Sequence, residues 1–342
     1  MILLKGKEGI FHIIGKDIQN IFQNLFKQRY KWRREIKRYV ASYYTEDASR
    51  AINQEKEVIY MVDGRMHHGG IGDRLRGIIS TYDVCKKMNI TFKINFVSPF
   101  SLDLFFEPNK VDWRIKESDI SYNSNDTLAI FCGSNGTHVE RPFQRRWFVK
   151  NFKKNIKQVH IYTNAILVKP ARFQQLFNEL FHMSPILEDS VRHCTEEIGG
   201  KYIAITCRFQ QLLGDFKEGD YEILDEAERE MLIKAAIEEI EKIHKAHDEA
   251  LPILLTSDST GFLQRARKEK PYVHIVEGEL VHMDYSSESA TKLHLKSFTD
   301  LMMLSRAEKI YLLKSPKMYN SGFPRIAAMI GNKPFKLVRF LY

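Results

Sequence analysis

The run His68-Gly69-Gly70-Ile71-Gly72-Asp73-Arg74-Leu75 holds the residues best suited to chemistry. Three glycines in four positions let the backbone approach a ligand closely, because no Cβ stands in the way. A β-prone run, Val58 to Val62, leads in, and a helix-like segment follows. The N–H groups that open such a helix attract an anion, so phosphate or pyrophosphate is the first chemistry to consider. Neither familiar nucleotide motif fits. The dinucleotide fingerprint G-x-G-x-x-G fails because the glycine after Gly70-x-Gly72 comes only at Gly77. The P-loop fails because Ile78 and Ile79 stand where lysine and a hydroxyl are needed. A glycine-rich strand-to-helix turn without a ligand is the alternative.

The elements that must position this loop follow an α/β pattern. After Val58 to Val62, the pattern predicts helices at Leu75 to Lys87 and Ala171 to Phe181. It predicts strands at Thr91 to Phe96, Thr127 to Cys132 and Val159 to Tyr162. A connector is expected near Met183-Ser184-Pro185. The second half restarts with strands at Tyr202 to Thr206, Ile253 to Thr256, Tyr272 to Val276 and Lys309 to Leu313. Helices are expected at Asp225 to His247, Gly261 to Lys268, Thr299 to Ser305 and Gly322 to Ile330. The chain of 342 residues suits two Rossmann-like domains facing a cleft, with ligands outside the strand carboxyl ends. The expected division is 1–54 as a helical basic segment, 55–190 as the N-terminal domain and 191–342 as the C-terminal domain.

Charge and cysteine usage narrow the class. Lys27 to Arg38 holds seven basic residues against Glu35 and supplies +6 of the net +9. Ile10, Ile14, Ile18, Ile21, Phe22 and Leu25 precede it at helical spacing. Residues 10–38 are thus expected either to lie on an anionic membrane surface or to pack on the body. No nucleic-acid motif accompanies the charge. The four cysteines are scattered, without metal-ligand spacing, which suits reduced thiols. With neither a secretory leader nor an apolar span of 18 residues, the expected location is cytoplasmic, and peripheral on the inner face of the membrane only if residues 10–38 bind it.

His68 to Leu75 resembles the first motif of the fucosyltransferase superfamily, which includes bacterial nodulation α-1,6-fucosyltransferases, plant xyloglucan fucosyltransferases and protein O-fucosyltransferases. Later stretches resemble its further motifs in order. Thr206-Cys207-Arg208 corresponds to H-x-R, with Thr206 in place of histidine and Phe209 in place of a second arginine seen in several relatives. Leu254 to Thr260 resembles the strand ending in T-D or S-D, at Asp258. Asp300 to Glu308 and Ser321 to Ala327 resemble D-x-x-x-L-S-x-A-D and S-[SG]-x-[SG]-R-x-A. Glu308 and Pro324 are departures there. The resemblance covers about residues 58–335.

The resemblance implies a GT-B type glycosyltransferase that moves fucose from GDP-fucose to a glycan with inversion, in surface polysaccharide biosynthesis. It implies no metal and no cofactor besides the donor. Arg208 would bind and stabilise the departing diphosphate, since a guanidinium forks onto phosphate and keeps its charge. Asp258 is read as a ribose or base acceptor, as an orienter of Arg208, or as an N-cap. Asp300 would read guanine. Ser321, Gly322 and Phe323 would cradle the diphosphate, with Gly70, Ile71, Gly72 and Asp73 closing from the other domain. For the proton acceptor, His67 and His68 stand nearest, and His68 is the catalytic candidate. Asp73 could bind the sugar instead. The competing readings are another GDP-sugar, a nucleotide-sugar-binding protein without turnover, and a Rossmann oxidoreductase.

Overall fold

The computed structural model describes residues 38–48, 56–65, 68–132, 156–164, 168–216, 222–278 and 291–342. Most of the basic amphipathic segment, together with Met66 and His67, lies outside the described residues.

The first sheet has the order β2-β1-β5-β4 and is parallel throughout, from β1 (Glu57–Val62), β2 (Thr91–Phe96), β4 (Thr127–Cys132) and β5 (Gln158–Thr163). All six residues of β1 are buried. That is why it reads as a continuous apolar run rather than an alternating one: helices cover both faces of a parallel sheet. Helix α1 (Ile71–Met88) links β1 to β2. The chain then returns to the other side of β1, so the strand order reverses between β1 and β5. The loop that begins at Asp63 lies at that reversal.

A short antiparallel ribbon, β3 (Phe106–Pro108) with β6 (Phe181–Met183), sits apart from the main sheets. Helices α2 (Pro170–Leu180) and α3 (Pro185–Ile198) flank β6. The second sheet has the order β11-β10-β7-β8-β9 and is also parallel. Its strands are β7 (Ile203–Cys207), β8 (Ile253–Ser257), β9 (Val273–His274), β10 (Lys309–Lys314) and β11 (Phe335–Arg339). Helices α4 (Glu226–Lys245), α5 (Thr260–Glu269), α6 (Thr291–Arg306) and α7 (Phe323–Gly331) connect them. The chain runs β7, β8, β9 in one direction and comes back to β10 and β11, so here the reversal lies between β7 and β10. Arg208 follows β7, and the Ser321 loop follows β10.

The expected alternation is therefore present, with several differences, among them the β3–β6 ribbon, whose Phe181 was expected to end a helix. Helix α3 occupies what was expected as a connector, α6 is longer than Thr299 to Ser305, and β11 was not anticipated. Its pattern Phe-Lys-Leu-Val-Arg is that of an edge strand, half-buried along its length.

One apolar core runs through both halves, from Val58 and Ile161 to Leu254 and Ile326. Across the join, Phe105 stacks on Phe298 at 4.2 Å, and Phe100 meets His294 at 4.5 Å. Residues 38–48 also belong to the body. Tyr39 and Tyr44 are buried with Ile59, Met61, Ile120 and Tyr162, and Thr45 bridges to Asn123. Among the described residues no helix is long and apolar enough to cross a membrane.

Candidate functional site

The glycine loop is held from beneath by its own arginine. Arg74 is buried. Its Nε donates to the Gly69 carbonyl at 2.9 Å and its Nη1 to the Ser98 carbonyl at 2.7 Å. The arginine of G-x-G-D-R thus fixes the loop. Gly69 sits at φ +75°, a conformation that favours glycine. Ile71 turns its side chain into the core, leaving its backbone as the part that can face a ligand. Asp73 pairs with Arg76 on the next turn of α1.

Gly70 is the N-cap of α1, and no side chain caps that helix. A Cβ added at Gly70 would meet nothing within 4 Å. Gly322 repeats the arrangement at α7: no side-chain cap, and open space around a hypothetical Cβ. By contrast, α4 and α5 are capped by Asp225 and Ser259. Helices α2 and α3 also start without a side-chain cap, but the starts at Gly70 and Gly322 are neighbours. A Cβ on Gly72 would lie 3.7 Å from the Cα of Phe323 and 3.5 Å from Ile326. Two helix N-termini, each attractive to an anion, therefore meet where the two sheets join. Ser321 is buried, and its hydroxyl accepts from the Phe323 N–H at 3.2 Å. Pro324 removes one donor from the first turn of α7.

Arg208 reaches the same region. Its carbonyl accepts from the Tyr319 N–H at 3.1 Å, which ties the loop after β7 to the loop after β10. Its Nε stands 3.2 Å from Asp258, and its guanidinium lies over the Phe216 ring at 4.8 Å. The Asp258 side chain is only 1% exposed. Its two oxygens accept from the N–H groups of Phe209 and Gln210 at 2.8 and 2.6 Å. Gln210 adopts φ +56°, unusual for a residue with a side chain. Burial pushes the Asp258 carboxyl above its ordinary value, against the pull of Arg208 and these donors.

Of the three roles considered for Asp258, the geometry matches the orienter of Arg208. The N-cap of α5 is Ser259, whose hydroxyl accepts from the Phe262 N–H. Thr206, in the place of the motif's histidine, pairs its hydroxyl with Thr256 at 2.8 Å.

Asp300 lies on α6 with a buried side chain. One oxygen accepts from Lys296 Nζ at 3.1 Å, and the other has no hydrogen-bond partner among the described residues. Lys296 also donates to the Val276 carbonyl at 2.6 Å. Burial raises the Asp300 carboxyl, and Lys296 opposes the shift. The i, i+4 spacing of Lys296 and Asp300 was visible in the sequence, but nothing there showed that both would be buried.

His68 is buried, 6.1 Å from Tyr162 in a stacked arrangement and 6.2 Å from Tyr60. This is the packing of a loop anchor. A proton-acceptor role requires the loop to expose the ring. Sequence reasoning also passed over Asp215, which accepts from Ser259 Oγ at 2.7 Å and Gly261 N at 3.0 Å. It ties the Arg208 loop to the start of α5.

No protein-family model matches this chain, and no curated protein matches it in sequence. Solved structures do match in fold. The NodZ alpha-1,6-fucosyltransferase soaked with GDP-fucose is 13% identical, with a TM-score of 0.54 over 81% of this chain and 93% of that one. The fucosyltransferase NodZ from Bradyrhizobium is 15% identical, with a TM-score of 0.54 over 80% and 92%. POFUT1 in its apo-form is 10% identical, with a TM-score of 0.50 over 84% and 99%. The two parallel sheets that meet at the glycine loop form an α/β architecture of GT-B type, and in fold this chain resembles these fucosyltransferase structures.

Proposed function

We propose that this protein is an inverting, metal-independent fucosyltransferase that takes GDP-fucose as donor and a glycan as acceptor. The observation that carries the reading is the meeting of two uncapped helix N-termini, at Gly70 and Gly322, next to the loop that bears Arg208. Such an arrangement suits a diphosphate. Arg208 and the backbone of Gly70 to Gly72 and Ser321 to Phe323 would stabilise charge building on the leaving group, the role a metal serves elsewhere. The unpartnered oxygen of Asp300 suits the N–H groups of a guanine edge. In this reading Asp258 holds Arg208 in place rather than touching ribose. The NodZ structures determined with GDP-fucose and with GDP support a nucleotide-sugar donor.

The acceptor hydroxyl would attack the anomeric carbon from the side of the first sheet as the diphosphate leaves. His68 would take the proton only if the loop opens; Asp73, paired with Arg76, would bind the sugar. The domain division is proposed as before, except that residues 38–48 go with the N-terminal domain. A boundary at 190 would fall within α3. The proposed setting is surface polysaccharide synthesis at the cytosolic face of a membrane, reached through basic residues 10–38.

The test is calorimetric titration with GDP, GDP-fucose, UDP and NAD, without added metal, on the wild type and Arg208→Ala. GDP and GDP-fucose are expected to bind, UDP and NAD not, and the variant is expected to lose GDP affinity. Absence of GDP binding by the wild type would remove the basis for the transferase reading.

A further inference from the structure

The loop leaving β1 carries a second arrangement that the donor site does not use. The guanidinium of Arg65 lies 4.3 Å from the centre of the Tyr43 ring and 4.5 Å from that of Tyr122. Tyr43 comes from the 38–48 segment and Tyr122 from the stretch before β4, so three separate parts of the chain converge. The Tyr39 and Tyr122 side chains also hydrogen-bond part of its N–H rim, and the exposed third of the side chain leaves the remainder of that rim to bond outward.

Asp63 forms a long ion pair with Nη1 at 3.8 Å, which balances charge but is beyond hydrogen-bonding distance and leaves the N–H groups facing it unbonded by the carboxylate. Its oxygens are already engaged by the hydroxyls of Tyr39 and Tyr162 at 3.2 and 3.1 Å and by the Arg65 backbone N–H at 3.2 Å. Tyr162 in turn bonds Tyr39 and Tyr44, and Tyr44 bonds His160. This buried network makes a firm floor. Above it, the Arg65 side chain is 33% exposed and Tyr43 is 41% exposed. A planar fork held between rings has little freedom left to lose on binding a planar anion. The exposed Tyr43 ring offers a face to a neighbouring sugar.

We propose that Arg65, framed by Tyr43 and Tyr122, is an acceptor-side subsite for an anionic group, carboxylate or phosphate, carried by the acceptor glycan. That the anion belongs to an acceptor glycan rests on the transferase reading. The subsite makes the enzyme select acidic over neutral oligosaccharides.

The experiment measures retention of neutral oligosaccharides and of matched uronate-containing and phosphorylated ones by the full chain in the presence of GDP. Wild type, Arg65→Gln, Arg65→Lys and Tyr43→Ala are compared, with GDP affinity and thermal midpoint recorded for each. The wild type is expected to prefer one acidic set, and the two arms tell carboxylate from phosphate. Arg65→Gln is expected to lose that preference by about tenfold or more while GDP affinity stays within about twofold. Arg65→Lys keeps the charge without the fork and is expected to fall between, which serves if the glutamine variant does not fold. Equal retention of neutral and acidic glycans by the wild type overturns the proposal, as does undiminished acidic preference in Arg65→Gln. Acidic preference in a protein that ignores GDP would sink the donor reading and leave the subsite standing.

Discussion

Replacing Asp258 separates support from contact at the donor site. Its carboxylate is buried and accepts from two backbone N–H groups while standing 3.2 Å from Arg208. Asp258→Asn keeps the shape but turns one acceptor oxygen into an NH2 group facing a backbone donor. One buried N–H is left unsatisfied, which costs about 1–3 kcal/mol. The neutral amide also stops balancing Arg208, and where its nitrogen takes the Oδ2 position the left-handed Gln210 loses its N–H bond. Asp258→Ala would orphan both donors, at about 2–6 kcal/mol, a large share of the roughly 5–15 kcal/mol typical of whole domains.

The asparagine variant is therefore the informative one. It is expected to lose about 2 kcal/mol of stability and to bind GDP about tenfold more weakly, as loss of one well-placed charged contact implies. Urea unfolding and calorimetric GDP titration on the same preparations read the two quantities. A destabilised variant with wild-type GDP affinity would show that Arg208 keeps its orientation without Asp258, and the reasoning would fail.

Three further outcomes follow from two glycines and a histidine. A Cβ at Gly77 would fall 2.0 Å from the Thr163 carbonyl and 2.4 Å from the Tyr60 hydroxyl, so Gly77→Ala is expected to lower the thermal midpoint sharply or to abolish soluble expression. A Cβ at Gly70 meets nothing within 4 Å, so Gly70→Ala should change the thermal midpoint by only the small cost of an N-cap alanine yet weaken GDP binding several-fold; unchanged affinity would argue against a ligand there. His160 is fully buried, and burial lowers its pKa from 6.5 to about 3. Below about pH 6.5 the unfolded chain takes up a proton that the folded one refuses, so stability falls with acidification toward pH 3. Between pH 7 and pH 5 the loss from this group is about 2 kcal/mol, measurable as a shift in urea midpoint that His160→Gln should remove.

Much of the framework was legible because its signals are local. Apolar runs such as Tyr202 to Thr206 and Ile253 to Thr256 mark strands buried on both faces. The glycine loop and Arg208 fall at the strand ends where alternation alone would place them. What stayed hidden depends on contacts between distant stretches. Gly77 looked like a displaced third glycine, and only the fold reveals that it lets α1 approach Tyr60 and Thr163. Asp258 looked equally able to cap α5, because its partners Phe209 and Gln210 are 49 and 48 residues away. The Arg65 clamp needed Tyr43 and Tyr122, which no local pattern connects. His68 seemed available next to a glycine loop, but Tyr60 and Tyr162 bury it.

The near-contact of Gly72 with Phe323 makes the join between the two halves an electrical matter. Each helix start carries a partial positive charge of roughly half a unit, so without a ligand the two ends push weakly apart across the very place where the sheets must touch. A dianion between them reverses the sign of that force. It would act as a keystone, turning a mutual repulsion into a shared attraction, and opening the halves would then mean pulling both ends off the same charge. On the proposed reading, a diphosphate bound there would hold the two helix starts together, and added salt, which screens both forces, would weaken the repulsion and the attraction alike.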